Sequence, residues 1–276
     1  MMKFVADSSS DRPVIPGMEV QYVPMMISTD EKSFVDNEHL NVSEMLDYLA
    51  EYKGRSYTAC PSVSAWIDAF GRADTVYAVT ITSALSGSYN SARIAADIYQ
   101  QDNSDASVHV FDSLSTGPEI LLILEKLEEL TAQGLDFDQV VAAVEAYCKK
   151  TRLFFSLHSL HNLAQNGRVS KVTAVAVGVM NIRVLGTASE EGTLAPLTKA
   201  RGDKRAAASL LELLLEAGYR GGKVRITHVQ NEAVALEFAE HIRAAFPKAD
   251  IRVSASGGLC SYYAEKGSLL VGVETD

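Results

Sequence analysis

Positive charge, cysteine and long apolar runs are what this chain is short of, and each shortage closes a route. Its 276 residues carry 25 Lys and Arg against 35 Asp and Glu, a formal net charge of −10. Nucleic acid and an anionic membrane surface both call for a basic footprint, so neither is expected as the main partner. The three cysteines, Cys60, Cys148 and Cys260, are odd in number and widely spaced. They fit a reducing compartment better than a disulfide framework or a structural zinc site. No apolar run approaches the ~20 residues needed to span a bilayer. The opening Met1-Met2-Lys3-Phe4-Val5-Ala6-Asp7 meets an acid too early for the core of a signal peptide. A soluble cytoplasmic protein without stable membrane insertion is the expectation. Internal repeats and low-complexity linkers are also lacking. With 47% hydrophobic residues, the chain should be globular throughout, as one large domain or two modest ones.

What is present is alternation. Residues 3–6 and 20–27 read as strands with a Pro16-Gly17 turn between them. Residues 42–52 and 64–70 read as helices, followed by strand 75–81, helix 88–101 and strand 108–111. Ile120, Ile123, Leu124, Leu127 and Leu130 stand at helical spacing, and Asp136 caps a further helix to about residue 150. Strand and helix in turn predict a mostly parallel sheet covered on both faces. From about residue 153 the pattern changes. A strand at 153–157 and a short helix at 160–165 end on Asn166-Gly167; β-type runs 182–186 and 193–197 then flank a polar turn. Helix 203–217, strand 223–228, helix 232–245 and strands 251–254 and 269–273 complete the chain. The aliphatic run 172–179 is read as helix. The expected fold is α/β: two tightly packed α/β domains, 1–152 and 153–276, with a mostly parallel N-terminal sheet and a mixed C-terminal sheet.

The most telling stretch is 80–92, where Thr82, Ser83, Ser86, Gly87 and Ser88 stand at a strand-to-helix turn. Free backbone N–H groups and the positive end of a helix dipole favour an anion there, held by neutral donors because the turn has no Lys or Arg. Ordinary capping by Ser accounts for the same residues, and both readings stay open. Asp7, Asp11 and Asp112 end strands, where they could bind metal or act in catalysis; capping turns by accepting backbone N–H groups is the simpler role. Cys60 could be a nucleophile with His158 or His161 as base, against the plainer expectation of a small buried filler. His158 and His161, at i and i+3, could share a helix face for a metal, but no third ligand is evident. No metal or cofactor is expected.

Six short motifs then follow one another along the chain. They are Asp7-Ser8-Ser9-Ser10-Asp11, Thr58-Ala59-Cys60-Pro61-Ser62, Leu85-Ser86-Gly87-Ser88-Tyr89, Phe111-Asp112-Ser113, Asn166-Gly167-Arg168-Val169-Ser170 and Lys199-Ala200-Arg201. In this order, over nearly the full length, the chain resembles the DegV family of bacterial fatty-acid-binding proteins. The resemblance implies a two-domain α/β arrangement with a buried apolar tunnel for a long-chain fatty acid. It implies Thr58 and Ser86, with Gly87, as ligands of the carboxylate. Ala59 and Cys60 stand where the family motif has Ser and Gln. Near the C-terminus Tyr263 stands where a family His completes the site; its phenol can donate one hydrogen bond and stays neutral at pH 7. Arg168 and Arg201 match positions near the site mouth and a kinase-docking surface. The implied activity is carriage, with presentation of the acid to a fatty-acid kinase and no catalysis by the carrier. The rival from the residues alone is a hydrolase or acyltransferase with Ser86 or Cys60 as nucleophile. Against it, Ser86 lies outside a Gly-x-Ser-x-Gly elbow and no His is placed to activate it.

Overall fold

In the computed structural model, which describes residues 1–169 and 181–275, the alternating first half folds around a four-stranded parallel sheet. Its strands are β1 (Met2–Asp7), β2 (Val20–Val23), β6 (Thr75–Thr80) and β7 (Ser107–Asp112), in the order β2-β1-β6-β7. Successive side chains of β6 leave on opposite faces, as the strand repeat of two requires. Val76 and Ala78 pack under α2 (Val63–Phe70) and α3 (Ser88–Asp102). Tyr77 and Val79 pack under α4 (Pro118–Ala132) and α5 (Phe137–Cys148). The caps sit where the local chemistry puts them: Asn41 on α1 (Val42–Glu51), Ser62 on α2, and an Asp136–Gln139 capping box on α5.

The second half builds a six-stranded mixed sheet, β10-β9-β8-β13-β11-β12. Its strands are β8 (Thr151–Leu157), β9 (Ile182–Ala188), β10 (Leu194–Arg201), β11 (Lys223–His228), β12 (Asp250–Ala255) and β13 (Leu269–Glu274). Only β11 and β12 run parallel to each other; the other neighbours are antiparallel. Helices α7 (Asp203–Glu216) and α8 (Glu232–Ala245) bury their apolar stripes against this sheet. α4 also reaches it: the space over Gly272 of β13 is taken by the Pro118–Glu119 backbone, which a Cβ would meet at 2.7 Å. A helix packed against two sheets must be apolar nearly all round, and α4 buries Ile120, Leu121, Leu122, Ile123 and Leu124 in succession.

Three details depart from the sequence reading. Residues 20–27 are two strands, because Pro24 cannot donate to a ladder and the Met25 N–H turns aside to Ser8 Oγ at 3.0 Å. The chain then enters a small antiparallel sheet of β3 (Met26–Thr29), β4 (Ser33–Val35) and β5 (Ser56–Ala59), in the order β4-β3-β5. The run 193–197 continues to Arg201, a register shift between Pro196 and Thr198 absorbing the proline. A seven-residue helix, α9 (Gly258–Ala264), stands where none was read. The helix expected at 172–179 lies outside the described residues. Among the described residues no helix is long and apolar enough to cross a membrane.

Candidate functional site

Between the two halves lies a cavity of about 310 Å³. Leu153, Phe155 and Leu157 face it from alternate positions of β8, and Leu163 comes from α6 (His161–Gln165). Met25, Ile81 and Leu85 come from the first half, and Leu194, Leu259 and Leu270 from the second. A cleft of this size with aliphatic walls suits a slender apolar ligand.

Polar groups converge on one part of the wall. Thr58, near the end of β5, and Tyr263, on α9, point their hydroxyls at each other 2.7 Å apart. Two residues back along β5 and one back along α9 the pattern repeats outside the cavity: Ser56 Oγ lies 2.7 Å from Tyr262 Oη, which also accepts from Asn166 Nδ2 at 2.9 Å. The two tyrosine rings meet edge to face at 4.8 Å. β5 and α9 are thus fastened by paired hydroxyls, and of the two tyrosines Tyr263 lines the cavity.

Ser86 and Gly87 lie in the turn before α3. Gly87 occupies the helix N-cap and no side chain caps that end, while Ser86 Oγ accepts the Ser88 N–H at 3.3 Å. The Ser88 N–H is thus held within the turn, and the N–H groups that follow it stand at the positive end of the helix dipole, which favours an anion. A Cβ on Gly87 would stand 3.2 Å from Cys60 Sγ, so the turn is packed against the Thr58–Cys60 segment. Arg168 closes the same region. Its Nε donates to the Leu85 carbonyl at 3.2 Å, its Nη1 donates to the Asn166 carbonyl at 2.7 Å, and its guanidinium lies 5.8 Å from the Tyr263 ring centre. Burial pushes the Tyr263 phenol upward in pKa, opposed by the Thr58 hydrogen bond and the Arg168 charge. The hydroxyl therefore keeps its proton at neutral pH.

Thr58, Ser86, Gly87, Arg168 and Tyr263 are thus gathered at one cavity. Arg201 is not among its lining residues: it is exposed on β10, opposite Ile182. Cys60 corrects an expectation, since it is exposed at the cavity wall rather than buried; the Pro61 that follows carries the chain away into α2. His158 and His161 do not share a helix face, because α6 begins at His161 and His158 lies before it, 4.0 Å from Asp203. Asp7 and Asp112 do end strands, whereas Asp11 follows the 3-10 turn Ser8–Ser10 in a left-handed conformation; all three serve as acceptors. Asp7, fully buried, takes the Ile81 N–H at 3.0 Å, the Ser88 hydroxyl at 2.6 Å and the Ser9 N–H and hydroxyl. Asp112 takes the Ser83 and Leu114 N–H groups, and Asp11 the Gly257 N–H at 2.7 Å. Among the described residues no three His, Cys, Asp or Glu side chains form a metal cluster.

Besides the apolar wall, two lining residues with hydrogen-bonding groups escaped the sequence reading, Thr116 and Cys260, whose Oγ1 and Sγ lie 3.4 Å apart. The signal for Cys260 was its position three residues before Tyr263, which puts both on one face of a helix. It needed α9 to be recognised first.

Three comparisons bear on this geometry. A family model described as "Uncharacterised protein, DegV family" matches residues 1–276. A DegV domain-containing protein of Streptococcus pneumoniae is 43% identical over 278 residues, covering 99% of each chain. The crystal structure of a DegV family protein from Eubacterium eligens loaded with heptadecanoic acid is similar with a TM-score of 0.98 and 50% identity, covering 100% of both chains. That of the Streptococcus pneumoniae Fatty Acid Kinase B3 protein loaded with linoleic acid is similar with a TM-score of 0.97 and 43% identity, covering 100% of this chain and 99% of that one.

Proposed function

The chain belongs to the DegV family, and from that premise we propose that it is a carrier for one long-chain fatty acid. The acyl tail lies in the aliphatic cavity between the halves, here taken as domains 1–152 and 153–276. The carboxylate rests against Thr58, Ser86, the Gly87 turn and Tyr263. One observation carries the reading: an apolar cavity whose polar groups gather around a 2.7 Å Thr58–Tyr263 hydroxyl pair beside an uncapped helix start. One hydroxyl of the pair donates to the other, and the second keeps its proton free for a carboxylate. At ~0.8 kcal/mol per buried methylene, a C16 tail contributes on the order of 10 kcal/mol before ordering costs. The tail therefore supplies affinity, and the hydroxyls orient the head and select for charge.

Carriage rather than catalysis follows from how the nucleophile candidates are placed. Ser86 Oγ accepts from a backbone N–H, and neither His158 nor His161 lines the cavity with Cys60. The carboxylate end lies beside the Arg168 turn, so the acid can be offered there to a fatty-acid kinase, with Arg168 and the exposed Arg201 on the docking side. The likeness to the kinase B3 protein supports that partner. A cytoplasmic location fits both the partner and the free cysteines. Titrating lipid-stripped protein with palmitate or oleate should give saturable binding at one per chain. Absence of saturable binding for both acids overturns the proposal.

A further inference from the structure

We propose that Leu153 is a one-side-chain partition that sets the longest acyl tail the cavity accepts. The inference rests on the fatty-acid reading above. Leu153 is 2% exposed and lines two cavities at once: the apolar one, and a second of about 690 Å³ on its other side. Along β8 it lies far from the end of the strand that packs with Leu163 and Val169, beside the Arg168 turn. Leu157 lies next to α6 and the Arg168 turn, and Leu153 is four residues back along β8, about 13 Å away at ~3.3 Å per residue. Its partner across the β8–β13 ladder is Gly272, which offers no side chain. The space over Gly272 is filled by the Pro118–Glu119 backbone, and among the described residues Leu153 is the one lining residue that the two cavities share.

The second cavity is of another character. Near Leu153 it presents Glu119, Arg152, Lys149 and Glu145, and Glu119 accepts the Thr151 hydroxyl at 2.7 Å. A tail that reaches Leu153 has gained roughly fourfold in affinity for each methylene buried. A tail that pushes past it must displace a buried side chain and then put its methyl end among charged, hydrogen-bonded groups. The gain therefore stops at Leu153. Leu153 is closely packed between the two cavities, so shortening it leaves a gap that opens toward the space on either side.

The test is a binding series with saturated acids of increasing length, on lipid-stripped wild type, Leu153→Ala and Leu153→Phe. In wild type, affinity should climb roughly fourfold per methylene to an optimum and then stop rising. Leu153→Ala should move the optimum longer by about two carbons, and Leu153→Phe should move it shorter. An optimum that stays put in both variants overturns the proposal. A second measurement needs no variant. In wild type, acids longer than the optimum should bind several-fold tighter when an ω-hydroxyl replaces the terminal methyl, because their tips meet polar groups. If the ω-hydroxyl weakens long acids as much as optimal ones, the partition is wrong. Failure of wild type to bind any acid would instead overturn the fatty-acid reading, and this inference with it.

Discussion

The two halves of the chain meet through two regions built of opposite materials. At one, Arg225 of β11 is 1% exposed, and its guanidinium grips both oxygens of Glu125 on α4, at 2.9 and 2.7 Å. The same guanidinium reaches the carboxylate of Asp250 at 2.7 Å and the carbonyls of Asp250 and Val224, and Arg252 adds a bond to Glu125 at 3.0 Å. At the other, around the cavity, aliphatic side chains surround space and the polar groups are mainly neutral hydroxyls. The first region is closed by its own ion pairs, and the second is a cavity with a few hydroxyls on its wall. Folding stability should therefore depend on the charged contact, and affinity on the cavity, with little crossover.

The largest test removes one partner of the charged contact. Glu125→Ala leaves Arg225 buried without its bidentate acceptor and should cost about 3–5 kcal/mol of folding stability. Urea unfolding measures this, while the fatty-acid affinity of the molecules that remain folded should hold. A loss in affinity as large as the loss in stability would break the separation.

At the cavity, Ser86→Ala should weaken binding of a long-chain acid by about 1–3 kcal/mol, the usual cost of losing a hydrogen bond to a charged group. The matching fatty alcohol should bind almost as before. Calorimetry with the two ligands decides it, since equal losses would reduce Ser86 to its bond with the Ser88 N–H.

Tyr263→Phe should cost about 0.5–1.5 kcal/mol of acid affinity. Because burial raises the Tyr263 pKa further above neutrality, wild-type affinity should be flat from about pH 5.5 to 8. Tyr263→His should restore affinity and add a slope in that range. A slope already present in wild type would mean that some other group titrates against the carboxylate.

The smallest effect sharpens the contrast between buried acids. Glu125 has Arg225 and Arg252, whereas Asp11 has the Gly257 N–H, and burial lifts its pKa from 3.8 to about 6. A carboxyl whose folded pKa is raised favours the fold while both states are protonated, below about 4. That contribution fades as the pH climbs through about 6, so stability should fall across this interval. Asp11→Asn should flatten that part of the profile, leaving the slopes that come from Asp7, Asp36 and Glu119, whose burial raises their pKa values too. An unchanged profile would show Asp11 to be solvated.

What could be read from the chain depended on how local the cause was. The capping box of α5 and the two-faced pattern of β6 lie within a few residues, and both elements stand where they were expected. The start of α9 was invisible because its first N–H groups are taken by Asp36, 222 and 223 residues away in sequence. The division of residues 20–27 between two sheets was missed for a similar reason, with Pro24 as a signal passed over and Ser8 as the remote acceptor. Thr58, Ser86, Arg168 and Tyr263 were picked out through motifs, and no spacing among them announced that they would meet. The hydroxyl pair between Thr58 and Tyr263 joins residues 205 apart in sequence. Cys60 was judged by the habit of its residue type, while its exposure is decided by the mouth of a cavity that only the fold creates.

The most direct measurement of the central claim is native mass spectrometry of protein taken fresh from cells. A buried tail leaves slowly, so the account predicts a population carrying the mass of one long-chain fatty acid per chain. Organic extraction should remove that mass, and added palmitate should restore it. A bare chain that stays bare in the presence of palmitate and oleate would contradict the account.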